Sequence, residues 1–269
     1  MEKIGIIAGE DRLPKIVIDY CINNNIEPFI IKISSQSDAN YQDYSNVIFV
    51  KIGAVGKAVS YLNRHQVKNL LIVGRISRPD NIFKTKVDLK GGKLLAKLAM
   101  NKIFGDNNLL SSIKDFLINE GFELLSLNKF MPDDLFFKPG LASKTKLSDN
   151  DSDNIKLGRD LIEMLSEFDV GQSVIVEGKR IIAIEAAEGT DGMLARAANL
   201  VKFEGCLVKT TKTNQITEID LPCIGLETVK NALTAKVKVI AVQASGTIII
   251  DKEQVLEFIN QKKMKLVAF

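Results

Sequence analysis

The chain has 269 residues, of which 46% are hydrophobic, 26% charged and 6% aromatic, and its formal net charge is +3. That length suits one large domain or two smaller ones and can bury a core without disulfide or metal staples, while the slight charge and few aromatics speak against a nucleic-acid partner. Three widely spaced cysteines, Cys21, Cys206 and Cys223, with no CxxC pair, argue against a disulfide framework or zinc knuckle and suit a reducing, cytoplasmic setting.

The first half alternates strand-like and helix-like segments. Lys3–Ala8 is a short apolar run ending at Gly9 and reads as a buried strand. Pro14–Asn23 has helical spacing, with Ile16, Val17 and Tyr20 able to share a face. Pro28–Ile33 and Asn46–Val50 read as strands, Val55–Arg64 as a helix, and Asn69–Val73 as a strand that stops at Gly74 and Arg75. This rhythm predicts a parallel sheet flanked by helices, a Rossmann-like arrangement whose ligands bind at the carboxyl ends of the strands. Lys90–Phe104 then places Leu94, Leu95, Leu98, Ala99 and Ile103 on one helical side and Lys90, Lys93 and Lys97 on another. Such a helix either faces a core with a solvated lysine side or lies on an anionic membrane surface. Leu109–Asn119 reads as a helix and Phe122–Leu127 as a strand.

From Met131 to Asp153 the prolines, Gly140 and the polar run Ser148–Asp153 read as a linker. The expected division is therefore residues 1–131, a linker at 132–152, and a second domain over 153–269. Beyond it, Asp153–Phe168 is helical, Val174–Ala186 reads as two strands around Gly178, and Met193–Leu200 is a helix. Gly205–Thr210 reads as a strand, Glu227–Ala235 as a helix, Val237–Gln243 and Thr247–Ile250 as a hairpin, and Glu253–Lys262 as a final helix. The expected fold is α/β, with a mixed sheet in the second domain. The N-terminus does not read as a signal peptide, and no apolar run approaches the roughly 18–20 residues of a membrane span.

Two stretches carry chemistry. Glu185-Ala-Ala-Glu188-Gly189-Thr190-Asp191-Gly192 sets carboxylates beside glycines at a strand-to-helix junction. Carboxylates suit Mg²⁺, which takes one or two from protein and the rest from water and phosphate, and the following helix aims its positive end at an anion. Equally, Thr190 or Asp191 could simply cap that helix. Only one of Glu185 and Glu188 is expected to face a site, because residues three apart in a strand point oppositely. The second stretch runs from Lys209 through Lys212, Asn214 and Gln215 to Asp220-Leu221-Pro222. Its donors suit phosphate and sugar oxygens, and Pro222 restrains the chain just after Asp220; a solvated turn would look the same. Gly5–Pro14 lacks GxGxxG and a Walker lysine, so it supports NAD or ATP binding only weakly. Arg75 and Arg78 could grip a phosphate. A lone histidine, His65, leaves little room for a histidine-based zinc site or a Ser-His-Asp triad.

In order along the chain, Gly5–Pro14, Val73–Pro79, Gly105–Leu110, Phe168–Val174 (FDVGQSV), Glu185–Leu194 (EAAEGTDGML), Lys209–Gln215 and Asp220–Val229 (DLPCIGLETV) resemble the LpxI family of UDP-2,3-diacylglucosamine pyrophosphatases. The resemblance implies Mg²⁺-dependent hydrolysis of UDP-2,3-diacylglucosamine to UMP and 2,3-diacylglucosamine 1-phosphate (lipid X), with water directed at the phosphorus on the sugar side. It further implies a two-domain protein with its ligand cleft between the domains, a homodimer, and peripheral contact with the cytoplasmic side of the inner membrane. Asp220 matches the family's critical aspartate and is expected to bind metal or orient water. Asp191 and Glu188 are expected to complete the acidic site, with Asp191 as a second metal ligand. Lys212 and Gln215 would hold the diphosphate, and Gly9, Arg75, Gly189 and Thr190 would contact substrate. The chain departs from the family at Cys223, where Thr is usual, at Asn107, where Asp is frequent, and at Thr213 and Ile216, where the familiar pattern has Pro and Asp. A non-catalytic nucleotide-sugar or lipid-binding protein of the same fold is the alternative reading.

Overall fold

The computed structural model describes residues 1–33, 41–76, 86–100, 106–168, 170–213 and 215–269, with only the backbone of 97–100 and 106–108. Arg78, Pro79, Ile103, Phe104, Gly105, Asp169 and Asn214, all named above, lie outside the described residues. The chain forms two compact units, Met1–Ser126 and Leu127–Phe269.

The first unit contains β1 (Glu2–Ala8), α1 (Leu13–Asn23), β2 (Ile26–Ile33), β3 (Val47–Val50), α2 (Val55–Arg64), β4 (Asn69–Val73), α3 (Leu89–Met100), α4 (Asp106–Asn119) and β5 (Glu123–Leu124). Its five strands are parallel in the order β3-β2-β1-β4-β5. Consecutive residues Ile30 and Ile31 of β2, and Leu70 and Leu71 of β4, are fully buried. Burial of both faces is what helix-covered parallel strands require, and it explains the unbroken apolar runs in the sequence. The strand order reverses direction between β1 and β4, the position at which open α/β sheets take ligands. Gly9 follows β1 there, its N–H donating to Val73 at 2.8 Å, and Glu10 bridges Arg75. Lys32 is wholly buried and donates to the Gly9 carbonyl at 2.9 Å. Lys90, at the start of α3, is paired with Glu120. His65 is half-buried, its ring centre 4.7 Å from that of Phe29 and tilted by 37°.

The second unit contains α5 (Leu127–Phe130), α6 (Pro132–Leu135), β6 (Gly140–Leu141), α7 (Asp149–Leu165), β7 (Ser173–Glu177), β8 (Arg180–Ile184), α8 (Gly189–Ala197), β9 (Gly205–Lys209), β10 (Cys223–Ile224), α9 (Leu226–Thr234), β11 (Val237–Val242), β12 (Ile248–Ile249), α10 (Lys252–Gln261) and β13 (Lys265–Ala268). Its main sheet runs β6-β13-β11-β9-β7-β8, parallel over β9, β11 and β13 and antiparallel at β6, β7 and β8. It is the mixed sheet expected. Side chains alternate across it: Val174, Val176, Cys206 and Val208 pack with Ile155 and Ile162 of α7, while Ile175 and Leu207 join the core under α8, α9 and α10. Gly158 lets α7 lie close to the sheet, since a Cβ there would meet Val208 at 2.6 Å.

Residues 132–152, read from composition as a linker, carry α6, β6 and the start of α7 within this unit. Ser148 and Asp151 form a capping box: the Asp151 N–H donates to the Ser148 hydroxyl at 3.3 Å and the Ser148 N–H to the Asp151 carboxylate at 2.7 Å. The hairpin expected from Val237–Gln243 and Thr247–Ile250 does not form. Both edges of β11 are taken by β9 and β13, so β12 pairs in parallel with β10 instead. The chain turns away at Gln243–Thr247, and the Ile248 N–H donates to the Pro222 carbonyl at 2.8 Å.

The Asp151 carboxylate accepts from Lys265 Nζ at 2.8 Å, and Lys265 also reaches Glu204 at 3.1 Å. Burial alone would raise the Asp151 carboxyl, but the Lys265 and Ser148 hydrogen bonds outweigh it and hold it below the usual carboxylate range. A depressed carboxyl contributes stability above its ordinary pKa and loses it as pH falls through the folded value. Lys265→Met strands the Asp151 charge and is expected to cost about 3 kcal/mol at pH 7. In urea titrations the deficit should shrink below about pH 4, where the unfolded aspartate protonates.

Candidate active site

At the carboxyl end of β9, the chain enters a long loop, residues 210–222, that is rooted on one side chain. The Gln243 amide oxygen, just past β11, accepts from Thr210 Oγ1 at 2.8 Å, Thr211 N at 2.9 Å and Thr211 Oγ1 at 2.5 Å. The next turn closes on itself. Lys212 N–H donates to the Gln215 side-chain carbonyl at 3.0 Å, and Gln215 N–H returns to the Lys212 carbonyl at 3.1 Å. This leaves the Gln215 amide nitrogen to donate to Asp220 Oδ2 at 2.8 Å. A second amide, Gln172 Nε2, reaches the same oxygen at 3.4 Å from the start of β7. Burial pushes the Asp220 carboxyl above the usual aspartate range, against the hydrogen bond from Gln215, the Lys212 charge, the hydrogen bond from Gln172 and the Lys209 charge.

Beside this clasp lies a buried polar network. Lys209 is only 4% exposed, and its Nζ donates to Thr190 Oγ1 at 2.8 Å and Ser173 Oγ at 3.0 Å, with Glu185 Oε2 at 3.7 Å. Thr190 in turn donates to Glu185 Oε1 at 3.0 Å, and Gln172 N–H donates to Glu185 Oε2 at 3.3 Å. Gln172 therefore belongs to both groups.

Of the residues singled out from sequence, Lys212, Gln215 and Asp220 come together, and Thr190 enters the adjoining network. Helix α8 begins at Gly189, four residues before the expected Met193, so Thr190 and Asp191 occupy its first turn. Neither caps it: position N-cap is Glu188, with no side-chain cap bond. Gly189 has φ +73°, a left-handed conformation that favours glycine. Glu188 is exposed and ion-paired with Arg196 at 2.6 Å, whose hydrogen bond lowers its carboxyl. Asp191 is exposed and accepts from Asn231 at 3.3 Å. Glu185, rather than Glu188, is the carboxylate that turns inward. Gly9 and Arg75 belong to the first unit, where a Cβ on Gly9 would stand 2.5 Å from the Arg75 carbonyl and the exposed Arg75 guanidinium lies 3.9 Å from both Glu10 and Asp11. Gln172 and Gln243 were not singled out from sequence. Gln172 sits inside the FDVGQSV stretch, whereas nothing in the local sequence marks Gln243.

Among the described residues no group of three or more His, Cys, Asp or Glu side chains is arranged to hold a metal. Asp220 offers a single carboxylate in which Oδ2 takes both amide bonds. That donor set does not make an all-protein cage; it fits Mg²⁺, which is commonly held by one or two carboxylates together with water and phosphate oxygens. A surface cavity of about 480 Å³, lined by Phe136, Phe137, Lys138, Leu141 and Lys252 among others, shares no residue with this network.

Comparison with known proteins settles the relationship. Residues 3–134 match the family model described as the LpxI N-terminal domain, and residues 138–267 match the LpxI C-terminal domain. The chain belongs to the LpxI family. It is 29% identical over 264 residues to the UDP-2,3-diacylglucosamine pyrophosphatase LpxI of Caulobacter vibrioides, covering 95% of this chain and 93% of that protein. In this LpxI-family chain the FDVGQSV and D-x-P-x-I-G stretches, 48 residues apart between Gln172 and Asp220, meet in one hydrogen bond.

A carboxyl raised by folding favours the protonated state, so its stability contribution is present below the ordinary aspartate pKa of about 4 and is lost as pH rises through the folded value. Asp220→Asn is therefore expected to raise the thermal midpoint at pH 7 in chelator-treated protein. The gain should vanish when the scan is repeated below about pH 4.

Proposed function

We propose that the chain hydrolyses the diphosphate of UDP-2,3-diacylglucosamine in lipid A synthesis, releasing UMP and 2,3-diacylglucosamine 1-phosphate (lipid X). The name of the Caulobacter relative supports the substrate, and the observation that carries the chemistry is the Asp220 carboxylate clasped by Gln215 and Gln172 beside the Lys212 turn. Diphosphate cleavage needs a positioned water and stabilisation of charge on the non-bridging oxygens. Asp220 orients the water toward the phosphorus on the sugar side, its orientation fixed by the two amides. Lys212 balances phosphate charge, and Gln215 ties that lysine's backbone to the aspartate. The left-handed turn at Gly189 opens α8, whose first-turn N–H groups, from Thr190 onward, suit a phosphate.

Mg²⁺ would be held by Asp220 and the substrate's phosphate oxygens, and when bound it polarises the phosphoryl group. Asp191 and Glu188 are drawn to Asn231 and Arg196, so the acidic function rests on Asp220. Thr213 and Ile216, where the family has Pro and Asp, do not dissolve the loop. The Ile216 carbonyl still accepts from Ile219 and Asp220 N–H, and Gln215 keeps its hold on Asp220. This favours catalysis over a binding-only protein. Among the described residues no helix is long and apolar enough to cross a membrane. A lipid substrate calls for peripheral contact with the cytoplasmic face of the inner membrane, and the protein acts there as a homodimer.

The test is UMP release from UDP-2,3-diacylglucosamine with Mg²⁺ or with chelator. Metal-dependent turnover is expected, with Asp220→Ala slower by about 100-fold or more while remaining folded. A folded wild-type chain that releases no UMP overturns the proposal. Gln215→Ala, which frees both the Lys212 turn and the aspartate, is expected to lower kcat by on the order of 10-fold, read from initial rates at saturating substrate.

A further inference from the structure

Lys209 has no assigned role, yet its placement is expensive. An ammonium removed from water destabilises a fold unless it is paired and hydrogen-bonded, and an apolar side chain of similar volume would usually fill the space at less cost. Lys209 meets this demand with Thr190, Ser173 and Glu185. Its backbone is also engaged: the Lys209 carbonyl accepts from Gln243 N–H at 3.1 Å. One residue thus joins the first turn of α8, the start of β7 and the end of β11.

Through Glu185 this network reaches Gln172. Its carbonyl accepts from Thr210 N–H at 3.1 Å, its N–H donates to Glu185 Oε2 at 3.3 Å, and its side chain reaches Asp220 at 3.4 Å. The last distance is at the long limit of a hydrogen bond, so a displacement of a few tenths of an ångström would break it. We infer that Lys209 is a positioning residue of the Asp220 site: through Thr190 and Glu185 it sets the Gln172 amide against the carboxylate. Without its ammonium, Glu185 loses its cation, the α8 turn loses its link to β9, and the carboxylate that accepts from the Gln172 N–H is no longer held in place. The kinetic consequence of this inference rests on the hydrolysis proposed above; the structural consequence does not.

The experiment uses the full chain with Lys209→Met, Lys209→Arg and the double variant Lys209→Met/Glu185→Gln, which removes both charges and spares the fold a stranded carboxylate. Three quantities are read: the thermal midpoint, kcat and KM for UDP-2,3-diacylglucosamine hydrolysis, and the Gln172 side-chain amide pair in a ¹H–¹⁵N spectrum, assigned by its loss in Gln172→Ala. The double variant should regain most of the midpoint lost in Lys209→Met. Its kcat should stay on the order of 10- to 100-fold below wild type with KM changed less than about 3-fold, and the Gln172 amide pair should move. Lys209→Arg, which keeps the charge, should recover part of kcat. A double variant with wild-type kcat and an unmoved Gln172 signal overturns the inference and leaves Lys209 a purely structural residue. If wild type itself releases no UMP, the hydrolysis proposal fails, and the Gln172 signal alone decides the role of Lys209.

Discussion

The site depends on a carboxylate that folding keeps partly out of water. Asp220 would be more comfortable in solvent, and burial raises its carboxyl accordingly. What holds it in place is a pair of neutral amides, Gln215 and Gln172, donating to the same oxygen. Neutral donors have a particular advantage here. They orient the carboxylate without bringing a charge of their own. The Lys209 ammonium is spent on Thr190, Ser173 and Glu185, while the Lys212 charge favours the ionised carboxylate.

The architecture explains how residues so far apart in sequence reach this point. In the second unit β9 lies between β7 and β11, so the loop leaving β9 is flanked by the start of β7 and the end of β11. Gln172 comes from one neighbour and Gln243 from the other, and each supports a different part of the loop. Further along, β10 and β12 pair in parallel, and the Pro222 carbonyl accepts from Ile248 N–H, fixing the chain two residues beyond Asp220. The aspartate is held from both directions along its own backbone.

Much of this was legible in the sequence. Parallel strands buried on both faces declare themselves as unbroken apolar runs, and the β-α-β rhythm of the first unit followed from them. Lys212, Gln215 and Asp220 could be singled out because they lie within nine residues of one another and before a proline. Partner choice was not legible. The apolar runs over Val237–Val242 and Ile248–Ile249 show that strands exist but not that both edges of the first are already occupied. The short strands β6 and β13 are too brief for a periodic signal, and the capping box at Ser148–Asp151 was masked by a polar composition that reads equally as linker. The sequence indicated that only one of Glu185 and Glu188 would face a site, but not which one. The answer depends on Lys209 and Arg196, each of which attracts one of them. Gln243 carries no local mark, because its role arises only when β11 is laid beside β9.

The most direct test of the account is ³¹P NMR of UDP-2,3-diacylglucosamine incubated with the full chain and Mg²⁺ in ¹⁸O-enriched water. The diphosphate resonances should give way to two phosphomonoesters, with the isotope shift on the lipid phosphate and none on UMP. Unchanged diphosphate resonances with folded protein, or the label on UMP, would contradict it.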